Sequence, residues 1–342
     1  MRRKLTIILP GLLLAALVAG HTAAWFAAAS HLDTGFNAWA AQRRAAGWQV
    51  DAGTPVRGGW PLAATLTIPD LALSAGPQDA PGRVAWHGQR VVLTLAMTSP
   101  DRLGIDLVGA QTLRIAPGPE LPFSADRLHV EVPFIRATSS PAAGTPTGPT
   151  VSLEVRTLRA PDLTIGLLTG QVVAAAAPRV TLAAEAIDLP TAIPLALGPH
   201  ISSVAVDATI EGGLPPPGTL PTMAAAWRGN GGTLNVTHLA LGWGPLGLSA
   251  TARLGFDDHL QPAGTADLRV IGFARTADAL AKQHVITKDA AMAATAVLTL
   301  MSHVPTDGGA PEVEVPLTLR NSTLSMGKTP LVRVPELAWP QP

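Results

Sequence analysis

The chain begins with a long apolar run and then changes to short runs in which apolar and polar residues alternate. Residues 5–32 contain no Asp, Glu, Lys or Arg, and they follow directly after Met1, Arg2, Arg3 and Lys4. At about 1.5 Å per residue, a helix of this length exceeds the roughly 30 Å hydrocarbon core of a bilayer. The pattern predicts a single-pass membrane anchor over residues 1–32, with the basic residues in the cytoplasm and the body on the far side.

The apolar run has a second interpretation, a signal peptide that is removed after export. Residues 27–29 are three alanines before Ser30, which is the small-residue pattern of a cleavage site. The run is longer than the apolar centre of a signal peptide, and Trp25 and Phe26 stand where aromatic residues mark the outer interface of a membrane span. The uncleaved anchor is therefore the favoured interpretation.

Beyond the apolar run, the period of the apolar positions changes from helical to strand-like. Residues 34–48 have a helical period, since Phe36, Trp39 and Arg43 are spaced by three and four, and Gly47 is placed to end this helix. From Val50 onward the period is two, in runs bounded by Pro, Gly or Asp. Strands are predicted at residues 64–68, 91–95, 103–107, 128–132, 151–155, 163–167, 180–189, 204–210, 233–241, 246–254, 264–271 and 313–319.

These runs predict a mainly β fold, either a long curved antiparallel sheet (or sheets) or an open sandwich, behind an N-terminal transmembrane helix. Residues 273–284 and 288–302 are Ala-rich with helical spacing, and they predict two short helices in the C-terminal half. The helical pair is either a crossover that covers one face of the sheet or a mobile lid over a groove. Residues 138–149 are rich in Ser, Thr, Gly and Pro and are expected to form an exposed loop.

The domain organisation follows from one proline-rich segment. Residues 212–221 carry four prolines and three glycines, a composition typical of an extended linker. Besides the anchor at 1–32, the sequence therefore predicts an N-terminal β-rich domain over residues 33–211. A C-terminal β-rich domain over residues 222–342 would contain the helices near 273–302.

Composition excludes several classes of function. Lys plus Arg and Asp plus Glu number 24 each, so no basic surface for nucleic acid is indicated. The absence of cysteine excludes disulfides, thiolate metal sites and cysteine nucleophiles. Charged residues are only 14% of the chain, and a body so sparsely charged can keep apolar surface exposed.

No strong catalytic or metal motif is found. The nine histidines do not form a close pair with ligand spacing, and no Gly-x-Ser-x-Gly motif occurs. Asp257 and Asp258 beside His259, near Asp267, could carry acid–base chemistry, but they fit a solvated hairpin turn better. The unit Pro-acid-Leu recurs at Asp70, Asp162 and Glu336, and indicates a strand start or kink. We predict no enzymatic activity, no cofactor and no metal. The histidines are at positions 21, 31, 87, 129, 200, 238, 259, 284 and 303.

The most distinctive short motif is Gly58, Gly59, Trp60 and Pro61. One interpretation is a surface feature that contacts lipid or a protein partner. The other is structural, because two glycines permit a tight bend that lets the indole pack over the end of the sheet. The glycines at 231–232 and the segment 242–245 are interpreted as turns.

The order of these motifs resembles the DUF2125 family of uncharacterised bacterial proteins. The residues that carry the resemblance include 56–61. At positions 59–61 this chain has Gly-Trp-Pro where the family commonly has Gly-Phe-Pro. The other segments and residues are 47–50, 68–71, Trp86, Val91, 241–246, 264–271, Leu280 and 321–339. The order of residues from Leu324 to Leu331, and then over 334–337, is also similar to that in AsmA-like proteins. The family resemblance implies an N-terminal anchor and a β-rich exported body. The AsmA-like resemblance implies a role in lipid homeostasis of the cell envelope.

Together these observations predict a non-enzymatic protein of the bacterial inner membrane, single-pass, with its body in the periplasm. Its expected role is to bind or transfer phospholipid or another envelope lipid along an apolar groove of the sheet. One alternative is an assembly or scaffold factor that binds other proteins through a sheet edge. A second alternative is an enzyme on envelope lipid or polysaccharide, which requires a pocket with several ionisable groups.

Overall fold

The computed structural model describes residues 2–75, 83–116, 118–134, 148–190, 195–213, 215, 219–306 and 308–339, with side chains from residue 14 onward. The loop predicted over residues 138–149 lies almost wholly outside these residues. Within them the fold is mainly β and antiparallel, as predicted, with sixteen strands and four helices. Each predicted strand run overlaps an observed strand, and both helices predicted in the C-terminal half are present.

The elements are numbered in their order along the chain. The helices are α1 (Arg2–Ala45), α2 (Leu220–Gly229), α3 (Phe273–Lys282) and α4 (Lys288–Met301). The strands before residue 162 are β1 (Gln49–Asp51), β2 (Val56–Gly58), β3 (Ala63–Ala75), β4 (Val84–Ala96), β5 (Arg102–Ile115), β6 (Glu120–Pro133) and β7 (Thr150–Ala160). The later strands are β8 (Leu163–Val173), β9 (Arg179–Asp188), β10 (His200–Glu211), β11 (Thr233–Trp243), β12 (Leu246–Phe256), β13 (Pro262–Ile271), β14 (Glu312–Arg320), β15 (Thr323–Met326) and β16 (Thr329–Arg333).

The chain divides into two compact units. Unit 1 comprises Met1–Ser140 and Val151–Pro161, and unit 2 comprises Pro141–Thr150 and Asp162–Pro342. The segment 212–221 lies inside unit 2, where it leads from β10 into α2, and β10 and β11 on either side of it are paired. The division into β-rich domains at that segment stays a prediction.

In unit 1 the sheet has the order β1-β3-β4-β5-β6-β7, and β2 also pairs with β3. On β3 the side chains of Ala64, Leu66 and Ile68 are buried while the residues between them are more exposed, which is the period-two pattern of a strand with one face on a core. At Asp70 the backbone takes a φ of +48°, and the burial pattern changes phase so that Leu71 is the next buried residue. The kink predicted at this Pro-acid-Leu unit is therefore present.

Helix α1 is continuous, so the predicted anchor and the predicted helix at 34–48 are one element. It ends as expected at Gly47, whose φ is +86°. The Gly47 amide donates to the carbonyl of Arg44 and the Trp48 amide donates to the carbonyl of Arg43. This pair of hydrogen bonds is a Schellman motif, in which the left-handed residue is usually glycine.

The middle of α1 packs against the sheet of unit 1. Ala29, Leu32 and Ala40 are buried in one core with Leu66 and Ile68, whereas residues 14–20 are all exposed. The apolar run 5–32 therefore lies in more than one environment. Its residues 14–20 are exposed, whereas its last third packs in this core. Among the helices for which side chains are described, none combines the length and the apolarity needed to cross a membrane. Residues 1–13 of the predicted anchor lie outside that description.

In unit 2 the strands pair in chain order from β8 to β16. Gly244 and Pro245 form the predicted tight turn between β11 and β12. Helices α3 and α4 join β13 to β14, which are themselves paired in register from Gly264↔Leu319 to Ile271↔Glu312. The two helices pack on each other through Ala277, Ala281 and Ala291. Movement of this helical pair as a lid stays a prediction.

Candidate functional site

Unit 1 contains an apolar cavity of about 430 Å³ between α1 and the sheet, a size within the range of small-molecule sites. Five of its lining residues come from α1, three each from β3, β4 and β5, and one follows β6. Among the described residues that line it, none is charged. The lining residues are His31, Leu32, Gly35, Phe36, Trp39, Ile68, Leu71, Leu73, Trp86, Val91, Leu93, Leu103, Ile105, Leu107 and Phe134.

The helical wall of the cavity includes a small residue, Gly35, which is itself exposed. No atom lies within 4 Å of the position that a Cβ of Gly35 would occupy, outside the helix's own backbone. On the helix, Phe36 and Trp39 stack at 5.9 Å between ring centroids and form part of the wall. The opposite wall is aliphatic, from alternate residues such as Leu103, Ile105 and Leu107 on β5. This geometry suits an apolar chain, because among the described lining residues only His31 and the indole N–H groups of Trp39 and Trp86 can hydrogen-bond a ligand.

The motif of Gly58, Gly59, Trp60 and Pro61 lies at the turn from β2 into β3. Gly59 has a φ of +91° and its carbonyl accepts a hydrogen bond from the Ala63 amide, so the glycine makes the predicted bend. The Trp60–Pro61 peptide bond is cis. The Trp60 side chain is 54% exposed, and that of the next apolar residue, Leu62, is 81% exposed. The indole therefore faces outward to a large extent.

Two hydrogen bonds fasten this turn to α1. The His21 ring donates from Nε2 to the carbonyl oxygen of Pro61 over 2.6 Å, and Trp25 donates from Nε1 to the carbonyl oxygen of Ala63 over 2.8 Å. These contacts explain the position of Trp25, which the sequence placed at a membrane interface. Its indole is instead partly buried against the core of unit 1.

The acidic candidates of the sequence are separated in the structure. The Asp257 carboxylate accepts hydrogen bonds from the amides of His259 and Gln261, at 2.9 and 2.8 Å, in the turn between β12 and β13. The predicted hairpin turn is thus present, while Asp267 lies on β13 opposite Thr251. Asp162 immediately precedes β8, as expected of a strand start, and Glu336 follows β16 in an irregular segment.

Unit 2 has a polar concavity of about 620 Å³ that the sequence did not indicate. Its ionisable lining residues are His238, Asp267, Arg269 and Glu314, and Arg269 pairs with Glu314 at 2.8 Å. The concavity forms because cross-strand neighbours on β12, β13 and β14 share one polar face, as alternate residues of paired strands do.

Three possible metal ligands adjoin this concavity. Ligand atoms of His303, Glu312 and Glu314 lie within 4.8 Å of one another, because His303 and Glu312 form a β-bridge and Glu314 is two residues further along the same face. An imidazole and two carboxylates could hold a divalent cation. However, the Arg269 guanidinium pairs with Glu314 at 2.8 Å and already compensates that charge, and Glu312 lies against His303 at 3.2 Å.

The clearest pKa shifts belong to ion pairs along the strands. The Arg179 guanidinium donates to the Asp207 carboxylate and holds its pKa below the ordinary value. Arg159 lowers the pKa of Asp126 in the same way, and Arg156 lowers that of Glu154. These pairs are exposed to solvent to differing degrees and none of them lines the apolar cavity, so they indicate a role in stability rather than in acid–base catalysis.

Comparison with known proteins gives a family but no activity. No curated protein and no solved structure matches the chain. A family model described as "Uncharacterized protein conserved in bacteria (DUF2125)" matches residues 25–335. That match covers nearly all of both units, from the middle of α1 to the segment after β16. The chain belongs to the DUF2125 family.

Proposed function

We propose that this protein binds the acyl chain of an envelope lipid in the apolar cavity of unit 1, and that it acts as a carrier rather than as an enzyme. The observation that supports the proposal is the composition of the cavity lining. Apart from His31, its fifteen residues carry no polar side-chain atom other than the indole nitrogens of Trp39 and Trp86. Each methylene group that such a surface removes from water contributes about 0.8 kcal/mol. An acyl chain is therefore the ligand class that gains most from this cavity.

The proposal includes anchoring of the chain in the bacterial inner membrane, with the body in the periplasm. Its support is the uncharged run that begins at residue 5, the three basic residues before it, and the exposed apolar side chains of Leu14, Leu17 and Val18 on α1. Because α1 continues directly from this run into the cavity wall, an anchored protein would hold the cavity close to the bilayer. Lipid would then have a short path between the two.

Gly35 offers a variant that adds an apolar side chain at the cavity without a clash. Gly35 lines the cavity and is itself exposed, and the space next to its Cα is open, so we expect the side chain introduced by Gly35→Leu to obstruct the cavity. Replacing glycine in a helix interior also favours the helix by roughly 0.8–1 kcal/mol. The matched control is Gly20→Leu, since Gly20 lies on the same helix, also has open space around it, and does not line the cavity.

The full chain and both variants are purified in mild detergent, and extracted lipid is identified and quantified by mass spectrometry. We expect near-stoichiometric phospholipid on the wild type and on Gly20→Leu, and a loss of tenfold or more on Gly35→Leu. Lipid that merely surrounds the anchor would remain on both variants. Equal lipid on Gly35→Leu and the wild type, or none on the wild type, would exclude the proposal.

A second candidate function rests on β16. This strand is the last in the order of unit 2, all five of its residues are exposed, and Leu331 and Val332 are among the exposed large apolar side chains. An edge of this kind can accept a strand from another protein. Cross-linking in cells from a photoreactive residue at Leu331 tests it. A discrete protein adduct that Val332→Pro abolishes would support the assembly role.

A further inference from the structure

The apolar side chains exposed on unit 1 are concentrated where α1 meets the turn from β2 to β3. On the turn these are Trp60 and Leu62, the latter with 81% of its surface exposed. On α1 they are Leu14, Leu17 and Val18. The segment 59–64, Gly-Trp-Pro-Leu-Ala-Ala, contains no charged residue. A surface of this kind is unfavourable in water unless another apolar phase covers it.

The turn is held at a defined level of α1. Pro61, between the two exposed side chains, accepts the hydrogen bond from His21, and Trp25 one turn further along holds Ala63. His21 directly follows the stretch 14–20, all of which is exposed. The turn therefore lies beside the point at which α1 leaves the body of unit 1.

The length of α1 before His21 places this level relative to a bilayer. Residues 5–20 separate Lys4 from His21, and at 1.5 Å per residue they span about 24 Å. The hydrocarbon core of a bilayer is roughly 30 Å thick. An anchor of this length is somewhat short, and a short anchor draws its flanking residues toward the lipid.

We infer that the turn at residues 59–62 inserts Trp60 and Leu62 into the outer interface of the same membrane that α1 enters, so that the occupant of this apolar surface is bilayer lipid. The inference rests on the proposed anchoring of α1. Tryptophan is favoured in this interface because its indole has an apolar body and a polar N–H group. Arg57 of β2 pairs with Asp33 of α1, which lies beyond His21 on the helix, on the other side of His21 from the exposed stretch 14–20.

The absence of cysteine in the sequence permits a direct test. A single cysteine is introduced by Leu62→Cys in the full chain and labelled with a polarity-sensitive nitrobenzoxadiazole fluorophore. The matched control is Leu121→Cys, because Leu121 is also an exposed leucine of unit 1, on β6, with 50% of its surface exposed. Both proteins are reconstituted in vesicles of phosphatidylethanolamine and phosphatidylglycerol, with a nitroxide quencher placed near the headgroup or near the end of the acyl chain.

We expect a severalfold rise in emission for the Leu62→Cys label on reconstitution, with stronger quenching by the nitroxide near the headgroup, and neither effect for Leu121→Cys. Flotation of the vesicles separates two kinds of failure. Protein that floats with the vesicles while its Leu62→Cys label is unquenched would overturn this inference and leave the anchoring intact. Protein that does not float would overturn the anchoring, and this inference with it.

Discussion

Trp25 of α1 donates a hydrogen bond from Nε1 to the carbonyl oxygen of Ala63, at the start of β3, over 2.8 Å and across 38 residues of sequence. Together with the contact from His21 to Pro61, it fixes the helix against the end of the sheet that faces the exposed stretch of α1. The relationship matters because the same helix forms one wall of the apolar cavity. The position of that wall depends on where the helix is held.

Substitution of Trp25 by phenylalanine is expected to loosen this attachment. A ring is kept but the hydrogen bond is lost, which costs about 1 kcal/mol of stability when the carbonyl partner can turn to water and more when it cannot. Hydrogen exchange of the amides of residues 21–29 measures the effect. The control is Trp39→Phe, because the Trp39 ring nitrogen has no hydrogen-bond partner among the described residues. Equal protection of these amides in both variants would show that packing alone holds the helix.

The strand pattern could be predicted from sequence because most strands place one face on a core. On β3, for instance, Ala64, Leu66 and Ile68 alternate with threonines, and this period gives both the element and its buried face. Strands β1, β2, β15 and β16 have only three to five residues, which is too short for a period to be recognised. The ten-residue helix α2 directly follows the proline-rich segment, and its short pattern was not distinguished from the linker.

The cavity and the polar sites could not be predicted, because they depend on distances between segments that are far apart in sequence. An apolar pattern identifies Phe36 and Ile105 as inward-facing positions, but it does not show whether the space between the helix and the strand is filled. The neighbours His303 and Glu312 are joined only through a β-bridge at the start of β14. For the anchor, sequence gives the length of the uncharged run, whereas the packing of Ala29 and Leu32 on the sheet follows from tertiary structure.

The paired glycines of the turn provide a prediction with an internal control. Gly59 has a φ of +91°, and a Cβ on it would lie 2.6 Å from the Ala63 carbonyl oxygen. Gly59→Ala is therefore expected to cost roughly 1–3 kcal/mol in the free energy of unfolding. Gly58→Ala should cost much less, because its nearest contact is the Thr65 hydroxyl at 3.2 Å and its φ is not in the left-handed region. Denaturant titration of the two variants measures the difference, and similar costs would contradict this account of the bend.

A buried glutamine gives an opportunity to stabilise unit 1. Gln111 on β5 is 2% exposed, and its Oε1 atom has no hydrogen-bond partner among the described residues. A buried polar atom without a partner costs about 1–3 kcal/mol. Gln111→Met keeps a similar volume and removes both polar groups, so we expect a higher unfolding midpoint in thermal denaturation. Gln111→Ala is the control, since the space it leaves should lower the midpoint. A lower midpoint for Gln111→Met would indicate that the amide has a partner.

The last prediction concerns acid stability and rests on Asp207 of β10. Its carboxylate accepts a hydrogen bond from Nε of Arg179 on β9 at 2.9 Å, and the Asp207 side chain is 19% exposed. This partner lowers the pKa of Asp207 in the folded protein. The unfolded chain, in which an aspartate has a pKa of about 3.9, therefore binds more protons at acid pH. The stabilisation is present above that value and is lost as the pH falls through the folded pKa.

Asp207→Asn removes this contribution, so the variant should unfold at a lower temperature than the wild type near pH 7. The difference between the two midpoints should begin to shrink as the pH falls below about 4, because the unfolded wild-type chain then binds a proton that the folded protein does not yet bind. The ion pair is lost only when the pH falls below the folded pKa of Asp207. Thermal unfolding followed by circular dichroism from pH 7 to pH 3 measures it. Asp162→Asn is the control, since Asp162 forms no ion pair with the described residues and should give no such trend. A constant difference across the whole range would mean that the aspartate acts through its shape and hydrogen bonds rather than through its charge.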